Sequence, residues 1–231
     1  MRLVDQPAFV LHRRAFSESS QIVELLTRDH GRIAALAKGS RRGAHNKLRA
    51  EPFQPLRVDL RGTGELPLLV RIETEPGTVP VLLKSTASLA GLYLNELLMV
   101  LLQREDPHPD LFDHYAACLA ALAGELAWPL RRFEWALLTA LGYAPDLEYD
   151  ARGVEVDATR RYRFSPDQGL HPTPDGALSG AMLRALKAGE RAHLEGQRRF
   201  LREQLALHMD HHPLRSWQLL GELDQVLPRT D

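Results

Sequence analysis

The chain has 231 residues, 29 Lys and Arg against 30 Asp and Glu, and one cysteine. That length gives ample room for a buried core, and the lone Cys118 excludes an intramolecular disulfide and any multi-cysteine zinc site. Overall charge is balanced, but residues 1–50 hold ten basic groups against four acidic, a net of +6, and the remainder carries −7. Such a split points to one end that meets a polyanion and another end with a different task.

The chain opens MRLVDQPAFVLHRR, without the long apolar run and small-residue cleavage site of a secretory leader. Residues 8–13 predict a first strand. Ser17-Glu18-Ser19-Ser20 makes a polar connection to a second strand, QIVELLT, and Asp29-His30-Gly31 is a hairpin turn in which Gly31 can take a positive φ. RIAALAK is the third strand. A basic segment follows, Lys38 through Arg49, in the connection leaving that strand. From Phe53 the alternation is clean. Leu56, Val58 and Leu60 fall on one face, Gly62-Thr63-Gly64 turns the chain, and Leu66, Leu68, Val70 and Ile72 alternate in turn. Period-two patterning with one apolar face suits a barrel or a half-buried antiparallel sheet. Five strands with a longer insertion between the third and fourth fit an OB-fold, with an SH3-like barrel as the structural competitor.

Glu75-Pro76-Gly77 closes that unit, and a boundary is expected at 76–84. Ser85 to Gln103 reads as a buried helix, interrupted in apolar character by Asn95 and Glu96 and too short to span a bilayer. A second helix runs to Ala123, with Leu111, Tyr115, Leu119 and Leu122 on one stripe. A third covers 130–141 and ends at Gly142. Residues 144–176 lack helical periodicity, and within them Tyr162-Arg163-Phe164 and Pro166-Asp167-Gln168-Gly169 predict a small hairpin. Helices resume at 180–188, 197–209 and 214–225.

A compact β-barrel with a cationic loop is a backbone-binding surface for nucleic acid. Each phosphate it neutralises releases condensed counterions, so binding should weaken steeply with salt; the alternative is a merely solvated loop. Residues 1–78 contain three aromatics, Phe9, Phe16 and Phe53. With Phe9 and Phe53 read as core, little stacking platform remains, so the sequence predicts binding dominated by charge. Elsewhere there is no P-loop, GxSxG or dinucleotide GxGxxG, and Ser19 and Cys118 have no base partner, so no enzymatic activity is expected. His208, Asp210, His211 and His212 have metal-like composition, but Pro213 ends that helix and no third distant ligand appears, so no metal or other cofactor is expected.

Several segments together resemble the bacterial DNA repair protein RecO family. They are Phe9-Val10-Leu11, Ser17-Glu18-Ser19-Ser20, Thr27, His30-Gly31-Arg32, Ala37 to Arg42, Pro52 to Leu56, Gly91 to Leu98, Arg131-Arg132-Phe133-Glu134 and Leu141-Gly142-Tyr143. They cover most of residues 9–143 in order. The resemblance implies an α+β protein. Its parts would be a five-stranded OB-fold barrel over 1–78 and a mainly helical domain over 79–231, with a zinc-finger-like insert at 143–177. Some members hold zinc there through four cysteines; this chain has none, so the insert is expected to be metal-free.

The resemblance also implies partners: single- and double-stranded DNA, the C-terminal tail of single-strand binding protein (SSB), RecR, and through them RecA. The expected DNA-binding residues are Arg13, Arg14, Arg32, Lys38, Arg41, Arg42, Lys47 and Arg49. Arg131 and Arg132, at the start of the third helix, are expected to take the carboxylate-bearing SSB tail. The implied setting is cytoplasmic and nucleoid-associated, without a membrane. A protein-only adaptor that binds the SSB tail and RecR is the second reading.

Overall fold

The computed structural model describes residues 2–39, 51–62, 64, 66–78, 82–209 and 214–216. Five strands come first: β1 (Arg2–Ala15), β2 (Gln21–Thr27), β3 (Gly31–Ala37), β4 (Leu56–Arg61) and β5 (Leu68–Thr74). They close into a barrel in the order β1-β2-β3-β5-β4. All neighbours are antiparallel except the short β3–β5 pairing at Leu36 and Leu68, where the Leu36 amide donates to the Pro67 carbonyl. Ala8, Val10, Val23, Leu25, Ile33, Ala35, Leu56, Val58, Leu60, Leu69 and Ile72 fill the interior. Burying each Val, Leu or Ile among them contributes on the order of 1.5–3 kcal/mol.

β1 is much longer than the six residues expected, because it pairs with β2 along one half and β4 along the other. Register shifts between Val10 and His12 and between Leu3 and Gln6 let one strand serve both neighbours, as bulges commonly do in small barrels. The alternation expected in the fifth strand needs correction. Leu69, not Val70, points inward: Leu69 is 1% exposed and Val70 is 48%. Asp59 pairs with Arg71 while Leu60 pairs with Leu69, so Val70 is the extra residue of a bulge and the inward set shifts by one.

Two helices belong to the same compact unit, which comprises Met1–Gly124 with His212–Asp231. They are α1 (Ser85–Leu101) and α2 (Pro109–Ala121). The expected stripe of α2 is buried in full, and Pro109 opens the helix where its missing N–H costs nothing. Phe9 of β1 packs on Phe112 and Tyr115, with ring centroids 5.1 and 5.0 Å apart. The buried Asn95 amide donates to the Leu11 carbonyl at 2.9 Å and accepts from the Tyr115 hydroxyl at 2.5 Å. These contacts explain why α1 and α2 group with the barrel, although the sequence pattern puts a boundary at 76–84.

The second unit, Glu125–His211, holds α3 (Ala127–Ala140), a three-stranded sheet of β6 (Arg161–Ser165), β7 (Gly169–Pro172) and β8 (Leu178–Ser179), then α4 (Gly180–Ala188) and α5 (Leu194–Ala206). The expected hairpin is β6–β7, turning at Gly169 with φ +79°; the two-residue β8 is too short to leave a pattern in the sequence. Buried Tyr162 holds this region with its hydroxyl, which accepts from the Asp157 amide, and Phe164 packs edge-on to Phe200. Ser179 caps α4 by accepting from the Met182 amide.

Candidate nucleic-acid interface

The chain leaves β1 and enters β2 through a tight turn. Phe16 and Ser17 both donate their amides to the Ser20 carbonyl, at 3.0 and 3.2 Å, and the Ser20 amide donates to the Ser17 hydroxyl. Arg13 and Arg14 precede this turn on β1, both exposed, and Lys38 follows β3. The register aligns Ala15 with Gln21 and Gln21 with Ala37. Arg14, Phe16 and Lys38 therefore emerge at one end of the barrel, the end from which the basic segment departs. Arg41, Arg42, Lys47 and Arg49 lie outside the described residues.

Pairing separates the cations of this unit. Arg57 is held by Glu75 and Asp5, Arg71 by Asp59, Glu73 and Asp5, and Arg28 by Asp113. The Arg28 hydrogen bond and charge keep the Asp113 carboxyl below its ordinary value. By contrast, Arg14 and Lys38 have no ion-pair partner among the described residues, and Arg13 has only Glu51 at 3.8 Å. A cation without an acidic neighbour keeps its full field for a polyanion.

Arg32 is placed differently from the other expected contacts. Its guanidinium donates twice to the Leu102 carbonyl, at 3.0 and 3.2 Å, and pairs with buried Glu24, which also receives Arg104. Burial lowers the Arg32 pKa, against the pull of Glu24. Most of its donors are therefore engaged inside the fold.

In the second unit, Arg131 and Arg132 part company. Arg131 is 7% exposed and donates to Glu134 at 2.5 Å. Its Nε and the Trp128 Nε1 are buried donors with no hydrogen-bond partner among the described residues. Arg132 is exposed, its guanidinium 5.5 Å from the Trp128 ring centroid. Arginine donors beside an indole suit a carboxylate attached to an apolar group. Sequence reasoning misses a further cationic feature. Arg152, Arg160 and Arg161, with Thr159 and Thr173, line a pocket of about 480 Å³. These arginines are separated in sequence from any other basic run, so only the fold of the β6–β7 region reveals them.

His208 stacks flat on Tyr143, with centroids 3.9 Å apart and planes 5° from parallel. Asp210, His211 and His212 lie outside the described residues, and among the described residues no three His, Cys, Asp or Glu side chains could hold a metal ion. No helix among them is long and apolar enough to cross a membrane.

Two family models divide the chain between them. One described as "Recombination protein O N terminal" matches residues 1–75, and one described as "Recombination protein O C terminal" matches residues 84–218. The chain belongs to the RecO family. The DNA repair protein RecO of Halorhodospira halophila is 42% identical over 230 residues, covering 94% of this chain and 97% of its own. That of Stutzerimonas stutzeri is 42% identical over 228 residues, covering 95% and 94%. The RecO protein of Alkalilimnicola ehrlichii is 42% identical over 233 residues, covering 96% and 92%. Similarity to RecO proteins thus runs through both units.

Proposed function

We propose that this RecO-family chain is a DNA-binding recombination mediator in repair, working in the cytoplasm without making or breaking covalent bonds. Its barrel, read as an OB-fold over residues 1–78, binds single- and double-stranded DNA through Arg13, Arg14, Lys38, Arg41, Arg42, Lys47 and Arg49. Arg32, at the opposite end of β3 from Lys38 and engaged by the Leu102 carbonyl and Glu24, is left out of that surface. The protein anneals complementary strands coated with SSB and, with RecR, promotes RecA loading. Arg132 and the buried donors of Arg131 and Trp128 receive the SSB tail. One observation carries the DNA half: Arg14 and Lys38, without an ion-pair partner among the described residues, lie at one end of the barrel, while Arg57, Arg71 and Arg28 are each neutralised by acids.

Annealing of two complementary oligonucleotides, each precoated with SSB and without ATP or divalent metal, tests both halves. We expect fast annealing that is lost when the SSB tail is deleted. Annealing of naked strands alone would keep the DNA-binding barrel and remove the tail site. If neither form anneals while the protein binds SSB, the chain is a protein-only adaptor.

A further inference from the structure

We propose that Phe16 is a base-stacking residue, and that the barrel end therefore grips one unpaired base of single-stranded DNA as well as its phosphates. The inference rests on the reading of the barrel as a DNA-binding module, and it adds a contact that charge alone does not provide.

A lone exposed apolar side chain is ordinary on a protein surface. Three features set Phe16 apart. Of the three aromatics in residues 1–78, Phe9 and Phe53 are consumed by the core at 2% and 9% exposure, and Phe16 is 58% exposed. Its backbone is fixed by the closed turn in which Phe16 and Ser17 both donate to the Ser20 carbonyl. The ring is thus presented by a short, self-bonded turn, and little backbone entropy remains to be lost on binding.

Placement is the third feature. Phe16 directly follows Ala15 and Lys38 directly follows Ala37, and both ends lie on the same register row across Gln21. Two strand spacings separate them, about 10 Å. Arg14 lies two residues before the ring on the same strand. A strand whose phosphates meet Arg14 and Lys38 passes the ring within a few nucleotides. Stacking on an aromatic face accepts any base, because every base has a π face. It needs the base unstacked from a partner strand, so the contact favours single strands over duplex.

The test compares full-length wild type with Phe16→Ala, Phe16→Leu and Phe16→Trp, using an oligothymidylate and a duplex of equal length. We expect Phe16→Ala and Phe16→Leu to weaken single-strand binding about tenfold, with duplex affinity and the salt slope unchanged. Phe16→Trp should restore single-strand affinity, and its fluorescence should be quenched by the oligonucleotide beyond the signal of the wild-type tryptophans. Thermal melting checks that the exposed substitutions leave the fold intact. Wild-type binding with no loss in Phe16→Ala and no added quenching in Phe16→Trp overturns the stacking contact alone. Equal losses on single strand and duplex also overturn it. Absence of wild-type binding to either DNA overturns the DNA reading itself.

Discussion

Asn95 shows what one buried polar side chain can do in this fold. It joins α1 to β1 through the Leu11 carbonyl and to α2 through the Tyr115 hydroxyl. Burial also pushes the Tyr115 phenol above its ordinary pKa, so it remains a neutral donor. Asn95→Leu keeps the branched outline with a somewhat larger side chain and removes the hydrogen bond to each partner, each at about 1–2 kcal/mol. We expect a loss of about 2–4 kcal/mol in urea unfolding, and about 1 kcal/mol for Tyr115→Phe; an unchanged midpoint in Asn95→Leu would contradict the bridge. His208 gives a pH signature. Its burial lowers the folded pKa from 6.5, so folding favours the neutral ring. Stability should be flat above that value and decline as pH falls below it, because the unfolded chain then binds more protons. Melting temperature against pH for His208→Phe should lack this component. The sequence marks both residues, Asn95 as an interruption in an apolar run and His208 as metal-like. Their partners lie too far along the chain, at Leu11 and Tyr143, for local pattern to reveal the roles.

At the level of elements, period-two patterning locates all five barrel strands, and helical spacing locates α1, α2 and α4 closely. It fails where geometry departs from the ideal period. A bulge cannot be read from alternation, which therefore puts Val70 on the wrong face, and the first half of β1, with Asp5 at φ +54° and Pro7, does not read as strand. Turn chemistry is more legible. Gly31 has φ +67°, and a Cβ there would fall 2.2 Å from the Asp106 carbonyl oxygen. Gly169 shares the positive φ, +79°, but has open space around it. Gly31→Ala therefore combines left-handed strain with overpacking against backbone, about 2–4 kcal/mol, whereas Gly169→Ala bears only the strain, about 1–2 kcal/mol. Denaturant unfolding of the two variants should keep that order. Equal losses would mean that the loop carrying Asp106 yields freely, and that the β2–β3 turn is not pinned by it.

Across the whole molecule, charge distribution alone makes the candidate surface legible, since a net charge of +6 in the first 50 residues is visible by counting. Which cations are available is not visible that way, because Arg57, Arg71 and Arg28 look as basic in sequence as Arg14 and Lys38. Pairing distinguishes them: each of the first three meets an acid brought from elsewhere in the fold. The distinction predicts salt slopes. Each phosphate contact on a single strand contributes about 0.7 to the slope of log K against log salt. Arg14→Ala with Lys38→Ala should flatten that slope by about 1.4, and Ala at Arg41, Arg42, Lys47 and Arg49 by about 3. Arg57→Ala with Arg71→Ala removes the same formal charge as the first pair but releases Glu75, Asp59 and Asp5 from neutralisation. It should weaken binding uniformly through the added negative field, with little change in slope, because no phosphate loses its partner. Fluorescence anisotropy titrations over a range of salt concentrations separate the two behaviours. If both double variants changed the slope alike, net charge of the barrel rather than its unpaired end would govern the encounter with DNA.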